Sequence, residues 1–347
     1  MAVLNIILIG LGSVGQGLLR ILATKADELR AVEGFEPRIV GVATRTRGSL
    51  YHADGLDVSR LYGIRHLDEY PHVDGLERGW DALRLAREGR ADVLVEASPS
   101  NLQTGQPALD VCYAALDSGK HLVLANKGPV AVAYDQLMAR AAQAGRLLRF
   151  EGTVMAGTPS LRLGMQALAG CRISAARGIF NGTTNYILTQ MEAGMAYADA
   201  LAEAQRLGYA EADPTADVDG WDAAAKAIIV SQALFGKRLT SAQMDVRGIS
   251  HLTADDIDVA RAAGERWKLV ATVTETGASV WPIRLPLAHP LASVSGTTNA
   301  ITYTTDLLGD VTLIGAGAGS VQTGFALLAD LLEIHKNFKL NAPDSHL

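Results

Sequence analysis

A lysine and several carboxylates lie close together between Gly208 and Lys226, and residues of these types can carry out acid–base chemistry. The stretch contains five carboxylates and ends in Trp-Asp-Ala-Ala-Ala-Lys. Residues four apart on a helix face each other, so Asp222 can contact Lys226 and balance its charge. A lysine and a carboxylate paired in this way can hold a proton for transfer.

The predicted helix around Lys226 is too apolar to lie on the surface. Asp217 or Asp219 is a suitable N-cap after the preceding proline, so we predict a helix from about Gly220 to about Leu234. From Ala223 onward its residues are Ala, Ile, Val or Leu apart from Lys226 and two others, which indicates burial on most sides. The alternative is an exposed pair that contributes only ~0.2–0.5 kcal/mol.

The beginning of the chain has the pattern of a nucleotide-binding turn. A continuous apolar run from Val3 to Ile9 predicts a buried strand, and a helical pattern follows Gly10-Leu-Gly-Ser-Val-Gly15. The first glycine permits the turn, the second lets a pyrophosphate approach, and the third lets the helix pack on the strand. The alternative is a turn needed only for packing. We predict that a dinucleotide is bound by Gly10, Gly12, Ser13, Val14 and Gly15.

The residues after the second predicted strand bear on the choice of cofactor. This strand spans Arg38 to Ala43, and proteins that prefer NAD usually place an acid at its end for the ribose hydroxyls. Here the sequence is Thr-Arg45-Thr-Arg47. An arginine suits a 2′-phosphate, so Arg45 favours NADP(H) over NAD(H). The alternative is that both arginines are solvated loop residues.

Two further predicted strands end in polar residues that are candidates for the site. They span Ala91 to Ala97 and His121 to Ala125, and they are followed by Ser98-Pro-Ser-Asn and Asn-Lys127-Gly-Pro. Ligands of open α/β sheets bind beyond the carboxyl ends of the strands, which places Ser98 and Lys127 near a bound cofactor. A solvated loop lysine is the alternative for Lys127.

The alternation of strands and helices over residues 1–150 indicates an α/β dinucleotide-binding domain with a Rossmann-type, doubly wound parallel sheet. The strand patterns over residues 151–317 predict a second, α+β domain for catalysis and dimerisation, which is built on a mixed sheet. A last helix, opened by Gly-Ala-Gly-Ala-Gly319, is expected to rejoin the first domain over residues 318–338 and to bring Gly319 near the cofactor. The polar residues 341–347 predict a disordered tail.

Composition limits the class of protein. A chain of 347 residues with 48% apolar and 20% charged residues predicts two domains with sizeable cores. The net charge of −6 and the lack of basic runs argue against nucleic acid or membrane partners and favour a small-molecule substrate. The start lacks a basic signal-peptide region, and no apolar run reaches the ~18 residues of a membrane span, so we predict a cytoplasmic protein. Neither the two cysteines nor the histidines have the spacing of a zinc site.

Six motifs, taken in order, resemble those of the homoserine dehydrogenase family. They are the glycine turn, Leu-Ala-Asn-Lys127-Gly-Pro, Glu151-Gly-Thr-Val-Met-Ala-Gly-Thr-Pro, Gly-Ile-Phe-Asn-Gly-Thr-Thr-Asn185, the stretch 208–226 and Gly-Ala-Gly-Ala-Gly319. The resemblance covers Val3 to about Ile334, and the block that ends in Asp-Ala-Ala-Ala-Lys226 is highly specific to that family. It implies reduction of aspartate 4-semialdehyde to homoserine with NAD(P)H, on the route to threonine, methionine and isoleucine.

The resemblance also implies roles for individual residues. Lys226 and Lys127 correspond to catalytic lysines, Asp222 supports the first of them, and Gly319 lies beside the cofactor. The residues that hold the substrate or the lysine are Thr183, Glu211, Asp217 and Asp222. A sodium or potassium ion is expected on backbone carbonyls of Glu151, Val154, Ala156 and Thr158. We also expect a homodimer, and no separate regulatory module for threonine after the last helix.

Two other hypotheses share parts of this pattern. Another dehydrogenase acting on an amino acid or a semialdehyde explains the glycines but not both lysine motifs. A non-catalytic protein that senses the nucleotide has no use for Lys226 within an apolar helix. Oxidation of the reduced cofactor in the presence of aspartate 4-semialdehyde distinguishes the three.

Overall fold

The apolar run near the start of the chain forms the middle strand of a seven-stranded sheet in this computed structural model, which describes residues 3–341. The strands are Val3–Ile9 (β1), Glu36–Ala43 (β2), Ser49–Tyr51 (β3), Glu77–Arg78 (β4), Val93–Glu96 (β5), His121–Leu124 (β6), Leu148–Arg149 (β7), Ile173–Ile179 (β8), Asp245–Val246 (β9), Glu265–Thr274 (β10), Gly277–Pro286 (β11), Thr298–Thr305 (β12) and Gly309–Ala316 (β13). The α-helices are Ser13–Glu28 (α1), Val58–Leu61 (α2), Ala82–Glu88 (α3), Ala108–Asp117 (α4), Lys127–Gln143 (α5), Ser160–Arg162 (α6), Gly182–Glu192 (α7), Tyr197–Arg206 (α8), Thr215–Val218 (α9), Trp221–Phe235 (α10), Ala254–Ala262 (α11) and Ser320–Asn341 (α12).

The chain divides into two compact units, and the first is built from both of its ends. This first unit extends to Gly157 and resumes at Gly319, while the second unit is Thr158–Ala318. The predicted tail, residues 341–347, lies outside the described residues except for Asn341, which is the last residue of α12.

The first unit has a parallel sheet at its centre, with the strand order β4-β3-β2-β1-β5-β6-β7. Strand β1 pairs in parallel with β2 and β5, and the parallel pairing continues through β6 to β7. The short strands β3 and β4 add an antiparallel edge beyond β2. Each crossover returns the chain to the same side of the sheet before the next parallel strand begins. These strands therefore all end at one edge, where the loops that follow β1, β5 and β6 meet. The prediction of a Rossmann-type sheet is confirmed.

Helices α1 and α12 pack with their backbones in contact. A Cβ atom added to Gly17 would lie 1.9 Å from the carbonyl oxygen of Ser320, and one added to Gly324 would lie 2.5 Å from the amide nitrogen of Leu18. Four apolar side chains of α12 are buried in the same core as those of β1 and α1: Leu327, Leu328, Leu331 and Ile334. Each contributes about 1.5–3 kcal/mol through burial, so α12 is an integral part of the first unit.

The second unit is built on a six-stranded mixed sheet, as predicted, with the order β13-β12-β8-β10-β11-β9. Its pairs are antiparallel except for β11 with β9. Helix α10 contacts β8, β10 and β11, and helix α7 contacts β10 and β12. The sheet therefore supports α7 and α10, which carry Thr183 and Asp222, two of the predicted substrate residues.

The predicted capping of α10 is wrong. Its N-cap is Gly220, which has a φ of 87° and offers no side chain to the first turn. Asp217 belongs to the short helix α9 and Asp219 caps the end of that helix, so a separate helical turn occupies the place where a capping acid was expected. The left-handed conformation between α9 and α10 suits glycine, which has no Cβ to clash.

Over residues 3–341, no helix combines the length and the apolar character that crossing a membrane requires.

Candidate active site

Lys226 lies on the buried side of α10, where few other polar groups are found. Every residue from Ala223 to Gln232 is buried, and Lys226 is 8% exposed. Its Nζ atom lies 2.9 Å from Oδ2 of Asp222 and donates a 2.6 Å hydrogen bond to the carbonyl oxygen of Phe180. The predicted contact between Asp222 and Lys226 is therefore present, and the carbonyl at the end of β8 is a second acceptor that the sequence did not indicate.

Asn181 joins this pair to a second carboxylate. Its Nδ2 group donates to Oδ1 of Asp217 at 2.6 Å and to Oδ2 of Asp222 at 3.1 Å. Its Oδ1 atom accepts a 2.8 Å hydrogen bond from the amide of Thr184 and so caps α7. One asparagine therefore fixes Asp217, Asp222 and the first turn of α7 relative to one another.

The other two predicted substrate residues differ in their surroundings. Thr183 is 8% exposed, and its hydroxyl donates a 2.7 Å hydrogen bond to the carbonyl oxygen of Tyr209. Glu211 is exposed, and Gln205 contacts its backbone carbonyl at 3.1 Å. Within residues 3–341 the carboxylate of Glu211 forms no hydrogen bond or ion pair. The structure thus brings Lys226, Asp222 and Asp217 together but does not bring Glu211 to them.

The cluster of Lys226, Asp222, Asp217 and Asn181 has the elements needed for proton transfer beside a charged substrate. A nearby carboxylate and a carbonyl oxygen stabilise the ammonium form of the lysine despite its burial. An ammonium group in such a site can donate a proton to an oxygen that becomes negative. A second carboxylate within one hydrogen-bonded network can attract an amino group of the substrate.

The glycine turn after β1 fits a dinucleotide. Gly10 has a φ of 96°, and a Cβ atom there would lie 2.5 Å from the carbonyl oxygen of Ala97. A Cβ at Gly15 would lie 2.2 Å from the carbonyl oxygen of Gly10, whereas one at Gly12 would meet no atom within 4 Å. The first and third glycines are therefore required by packing, and Gly12 borders open space that a pyrophosphate can approach.

The beginning of α1 also fits an anion. Gly12 is its N-cap, and no side chain caps the amides of its first turn, to which Ser13 and Val14 belong. Free amides at the start of a long helix form a phosphate-binding site. The hydroxyl of Ser320 donates a 2.5 Å hydrogen bond to the carbonyl oxygen of Ser13. The start of α12, preceded by Gly319 with a φ of 127°, therefore lies beside the start of α1.

Arg47 and Arg45 have different environments after β2. Arg47 donates a 3.3 Å hydrogen bond to the carbonyl oxygen of Leu11 in the glycine turn. It also lines a cavity of about 460 Å³, whose other lining residues are Gln16, Gly63, Ile64, Arg65 and His66. Both arginines are exposed, but Arg45 does not line this cavity. The sequence did not indicate the other residues of this basic cavity: Gln16 lies within α1, and Gly63, Ile64, Arg65 and His66 follow α2 in a stretch without a motif.

The loops after β5 and β6 carry Ser98 and Lys127 and are linked by hydrogen bonds. Asn126 donates from Nδ2 to Oγ of Ser98 at 3.3 Å, and the amide of Lys127 donates to Oγ of Ser100 at 3.0 Å. Lys127 is the first residue of α5 and is half-buried. Both predicted residues therefore lie at the carboxyl ends of neighbouring parallel strands, as the sequence indicated.

The segment proposed for a cation includes residues of both units. Glu151, Val154 and Ala156 are buried in the first unit, and the amide of Glu151 donates a 3.0 Å hydrogen bond to Oδ2 of Asp330. Ala156 has a φ of 48°, which is uncommon for a residue with a Cβ. Thr158 begins the second unit, and its hydroxyl donates to the carbonyl oxygen of Ala316 at 2.9 Å.

Comparison with known proteins shows which family shares these features. The family model for the homoserine dehydrogenase NAD-binding domain matches residues 10–151, and the model for homoserine dehydrogenase matches residues 159–332. The NAD(+)-dependent homoserine dehydrogenase of Pseudomonas canavaninivorans is 41% identical over 95% of this chain and 96% of that protein.

Solved structures agree with this result. The crystal structure of a homoserine dehydrogenase from Thiobacillus denitrificans matches with a TM-score of 0.84 and 33% identity, covering 100% of this chain and 76% of the other. A hyperthermophilic archaeal homoserine dehydrogenase in complex with NADPH matches with a TM-score of 0.82 and 30% identity, covering 97% of this chain and 99% of the other.

Proposed function

This chain belongs to the homoserine dehydrogenase family, and from this premise we propose that Lys226 gives the proton to the carbonyl oxygen of aspartate 4-semialdehyde. The family activity is that of an NAD(P)-dependent oxidoreductase acting on a CH–OH group. Enzymes of this family reduce aspartate 4-semialdehyde to homoserine in the biosynthesis of threonine, methionine and isoleucine.

One observation supports the assignment of Lys226 more than any other: a nearly buried ammonium group with two short polar contacts. Asp222 lies 2.9 Å away and the carbonyl oxygen of Phe180 lies 2.6 Å away, and both favour the charged form. A lysine kept charged in a site of low polarity interacts strongly with an oxygen that gains negative charge.

The remaining residues are assigned from their chemistry. A bound nicotinamide cofactor supplies the hydride. Lys226 stabilises the negative charge on the substrate oxygen and protonates it, and in the reverse direction it accepts the proton of the hydroxyl group. Asp217 and Thr183 hold the substrate, with the carboxylate facing its ammonium group. Lys127, from the cofactor-binding unit, is assigned as the second cationic group.

A direct assay tests this function. The purified protein should oxidise NADPH or NADH when aspartate 4-semialdehyde is added, and reduce the oxidised cofactor with homoserine. The value of kcat/KM should be about 10- to 200-fold higher for homoserine than for serine, which lacks one methylene group. A preference for another hydroxy amino acid would favour a different dehydrogenase, and cofactor binding without turnover would favour a nucleotide sensor.

We also propose that NADP(H) is preferred over NAD(H). The basic cavity after β2 supports this, because Arg47 lines it together with Arg65 and His66 at the place where the ribose of the cofactor is expected. The family includes a relative named as NAD(+)-dependent and a structure that contains NADPH, so membership alone does not decide the preference.

Two matched variants test this preference. Arg45→Ala is the prediction from the sequence and Arg47→Ala is the one favoured by the cavity. We expect KM for NADPH to rise with each change while KM for NADH stays nearly constant, and the larger rise for Arg47→Ala. Equal losses for both cofactors, or a wild type indifferent to the 2′-phosphate, would contradict the proposal.

A monovalent cation is proposed on backbone carbonyls of the segment 151–158. Carbonyl oxygens suit hard cations, and the unusual conformation of Ala156 supports a turn shaped for such a purpose. Activity and thermal stability should be higher in sodium or potassium chloride than in tetramethylammonium chloride of equal ionic strength. Identical behaviour in the three salts would remove the cation from the proposal.

We further propose a cytoplasmic homodimer formed through the edge of the six-stranded sheet. Three exposed apolar residues support it at β13 and the turn before it: Leu307, Leu308 and Ile314, which are 71%, 62% and 49% exposed. Exposed apolar side chains grouped on one edge are typical of interaction surfaces. Sedimentation should give the mass of two chains, and Ile314→Lys should shift the protein toward a monomer. A wild type that sediments as a monomer would contradict the proposal.

A further inference from the structure

Glu96 is a fully buried carboxyl group at the carboxyl end of β5. It is 0% exposed, and the preceding strand residues, Val93, Leu94 and Val95, are apolar. Its Oε1 atom accepts a 2.7 Å hydrogen bond from the amide of Ser98 and a 3.4 Å hydrogen bond from Nδ2 of Asn126. Its Oε2 atom is buried and has no hydrogen-bond partner among the described residues.

This environment favours the uncharged form of Glu96. Burial raises the pKa of Glu96, and the hydrogen bonds from Ser98 and Asn126 oppose that change only partly. Within residues 3–341 no lysine, arginine or histidine forms an ion pair with it. The pKa of Cys112 on α4 is raised mainly by burial and then by the charge of Glu96. A buried charged carboxylate with one unpaired oxygen costs more free energy than the uncharged acid does, because removing a charge from water is more costly than removing a neutral polar group.

The partners of Glu96 lead directly to Lys127. Asn126 also donates to the carbonyl oxygen of Pro99 at 3.4 Å, and its own Oδ1 accepts from the amide of Gly128 at 2.9 Å to cap α5. A Cβ atom at Gly128 would lie 2.6 Å from the carbonyl oxygen of Asn101, so the two loops touch through their backbones. The backbone of Lys127 therefore lies between two residues, Asn126 and Gly128, whose positions depend on this network.

We infer that Glu96 is a positioning residue that sets the backbone position of Lys127 by holding Asn126 and Ser98, and that it acts as an uncharged hydrogen-bond acceptor. The inference rests on the catalytic role proposed for Lys127. An uncharged acceptor can hold two donors without offering a competing counter-charge to the Lys127 ammonium group. The buried acid thus fixes the two loops that follow neighbouring strands without adding a negative charge beside them.

Two substitutions at position 96 test the inference. Glu96→Gln keeps an oxygen for the two donors, so kcat should stay within about twofold of the wild type. Glu96→Leu removes the acceptor at nearly constant volume, so the loops should shift and kcat should fall on the order of 10- to 100-fold. An equal loss in Glu96→Gln and Glu96→Leu would overturn the claim that the uncharged form is the active one.

A double-mutant cycle shows whether the effect passes through Lys127. In a Lys127→Ala background, Glu96→Leu should add no more than about a twofold loss, because the residue that it positions is gone. If the double variant instead shows the product of the two single losses in kcat, Glu96 acts independently of Lys127 and the inference is overturned. Lys127→Ala with normal kcat would instead overturn the role proposed for the lysine, and a wild type inactive with homoserine would overturn the proposed function.

A matched control separates positioning from general destabilisation. Val95→Ala truncates the neighbouring side chain of the same strand, which faces the core cluster and contacts neither loop through a hydrogen bond. It should lower the melting temperature while kcat remains unchanged. If Val95→Ala lowers kcat as much as Glu96→Leu does, the loss is a general effect of a weakened strand and Glu96 does not position Lys127.

The dependence of stability on pH gives a second test that needs no active enzyme. The folded pKa of Glu96 is raised above the ordinary value of about 4.3. The folded protein therefore binds the proton of Glu96 more tightly than the unfolded chain does. The stability that this proton contributes is lost as pH rises through the folded pKa. The melting temperature of Glu96→Gln relative to the wild type should therefore increase with pH. A difference that moves the opposite way would show that the carboxylate is the favoured form.

Discussion

Two lysines are buried in the second unit, and their surroundings differ in a way that supports the proposed catalytic role for Lys226 and not for Lys268. Lys226 is 8% exposed and lies 2.9 Å from Asp222, with a short hydrogen bond to a backbone carbonyl. Lys268 on β10 is 0% exposed; its Nζ atom donates to Oδ1 of Asn185 at 3.3 Å and lies 3.8 Å from Oε1 of Glu192. The more deeply buried lysine therefore has the weaker compensation for its charge.

Burial alone is no basis for assigning a catalytic role to a lysine, because Lys268 is buried more deeply than Lys226. Burial lowers the pKa of Lys268, and the nearby Glu192 offsets this effect only partly. A proton donor needs a stabilised charge together with access for the reacting atom. Lys226 has a close carboxylate and remains slightly exposed, whereas the amine of Lys268 is closed off from any substrate.

Removing each amine is the most direct test of the comparison. Lys226→Ala should lower kcat on the order of 100- to 10,000-fold, the range for loss of a general acid, while cofactor affinity stays nearly intact. Lys268→Met removes the other buried amine and should keep kcat within about threefold of the wild type. Steady-state kinetics of both variants provide the measurement. Near-normal turnover of Lys226→Ala, with only a lower melting temperature, would make this lysine structural as well.

Changing the partner of Lys226 should alter both rate and pH dependence. Asp222→Asn removes the negative charge 2.9 Å from the amine. A hydrogen bond to a charged group is worth about 1.5–3 kcal/mol, so kcat should fall about 10- to 100-fold. The ammonium form is also less favoured without the carboxylate, so the alkaline limb of the kcat profile should move to lower pH. An unchanged profile would indicate that Asp222 serves only as a structural contact.

For Lys268, the expected effect is on stability rather than on turnover. Lys268→Met leaves Oδ1 of Asn185 without its donor and should cost about 1–3 kcal/mol in the free energy of unfolding. The pKa of Lys268 is lower in the folded protein than the ordinary lysine value of about 10.4. Between these two pKa values the unfolded chain binds more protons than the folded protein does, so the wild type gains stability as pH rises. Urea denaturation at pH 7 and pH 9.5 should therefore show a larger cost of the substitution at the higher pH. A smaller cost there would contradict the assignment of an uncompensated lysine.

The smallest effect concerns a third buried basic group, in the first unit. Burial, followed by the charges of Arg146 and Arg149, lowers the pKa of His121 to about 4. Its Nδ1 atom accepts a 2.9 Å hydrogen bond from the amide of Leu147, which requires the neutral ring. The stability that it contributes is present above about pH 6.5 and is lost as pH falls toward about 4. Between pH 7 and pH 4 the melting temperature of His121→Gln should fall less steeply than that of the wild type. An equal dependence on pH for the two proteins would contradict this account.

Features that depend on local spacing were predictable from the sequence. The contact between Asp222 and Lys226 follows from helical geometry alone, and the glycine turn follows from a strand and a helix that adjoin it. The mixed sheet of the second unit was predicted from separate strand patterns. The pattern of apolar residues predicted one of these strands over Val270 to Thr274, whereas β10 begins at Glu265. Extended pairing with β11 lengthened this strand, which no local pattern of its own residues could show.

Features that depend on distant contacts were not predictable. Asn181 acts through Asp217 and Asp222, which lie 36 and 41 positions away. Glu96 was the last but one residue of an apolar run, and its partner Asn126 is 30 positions away. The choice between Arg45 and Arg47 depends on how the loop turns toward Leu11, 36 positions from Arg47. In each case tertiary packing, rather than local sequence, determines which polar group meets which.

The first unit is built from two separate parts of the chain, and this affects the order in which the two units fold during synthesis. Helix α12 leaves the ribosome only after the whole of Thr158–Ala318 has been synthesised. At the usual 5–20 residues per second, the surface of α1 around Gly17 stays uncovered for roughly 10 to 30 s after the rest of its unit has emerged. The second unit, whose residues are consecutive, can fold during this interval. Newly made chains should therefore complete the second unit first and the first unit, which carries the glycine turn, last.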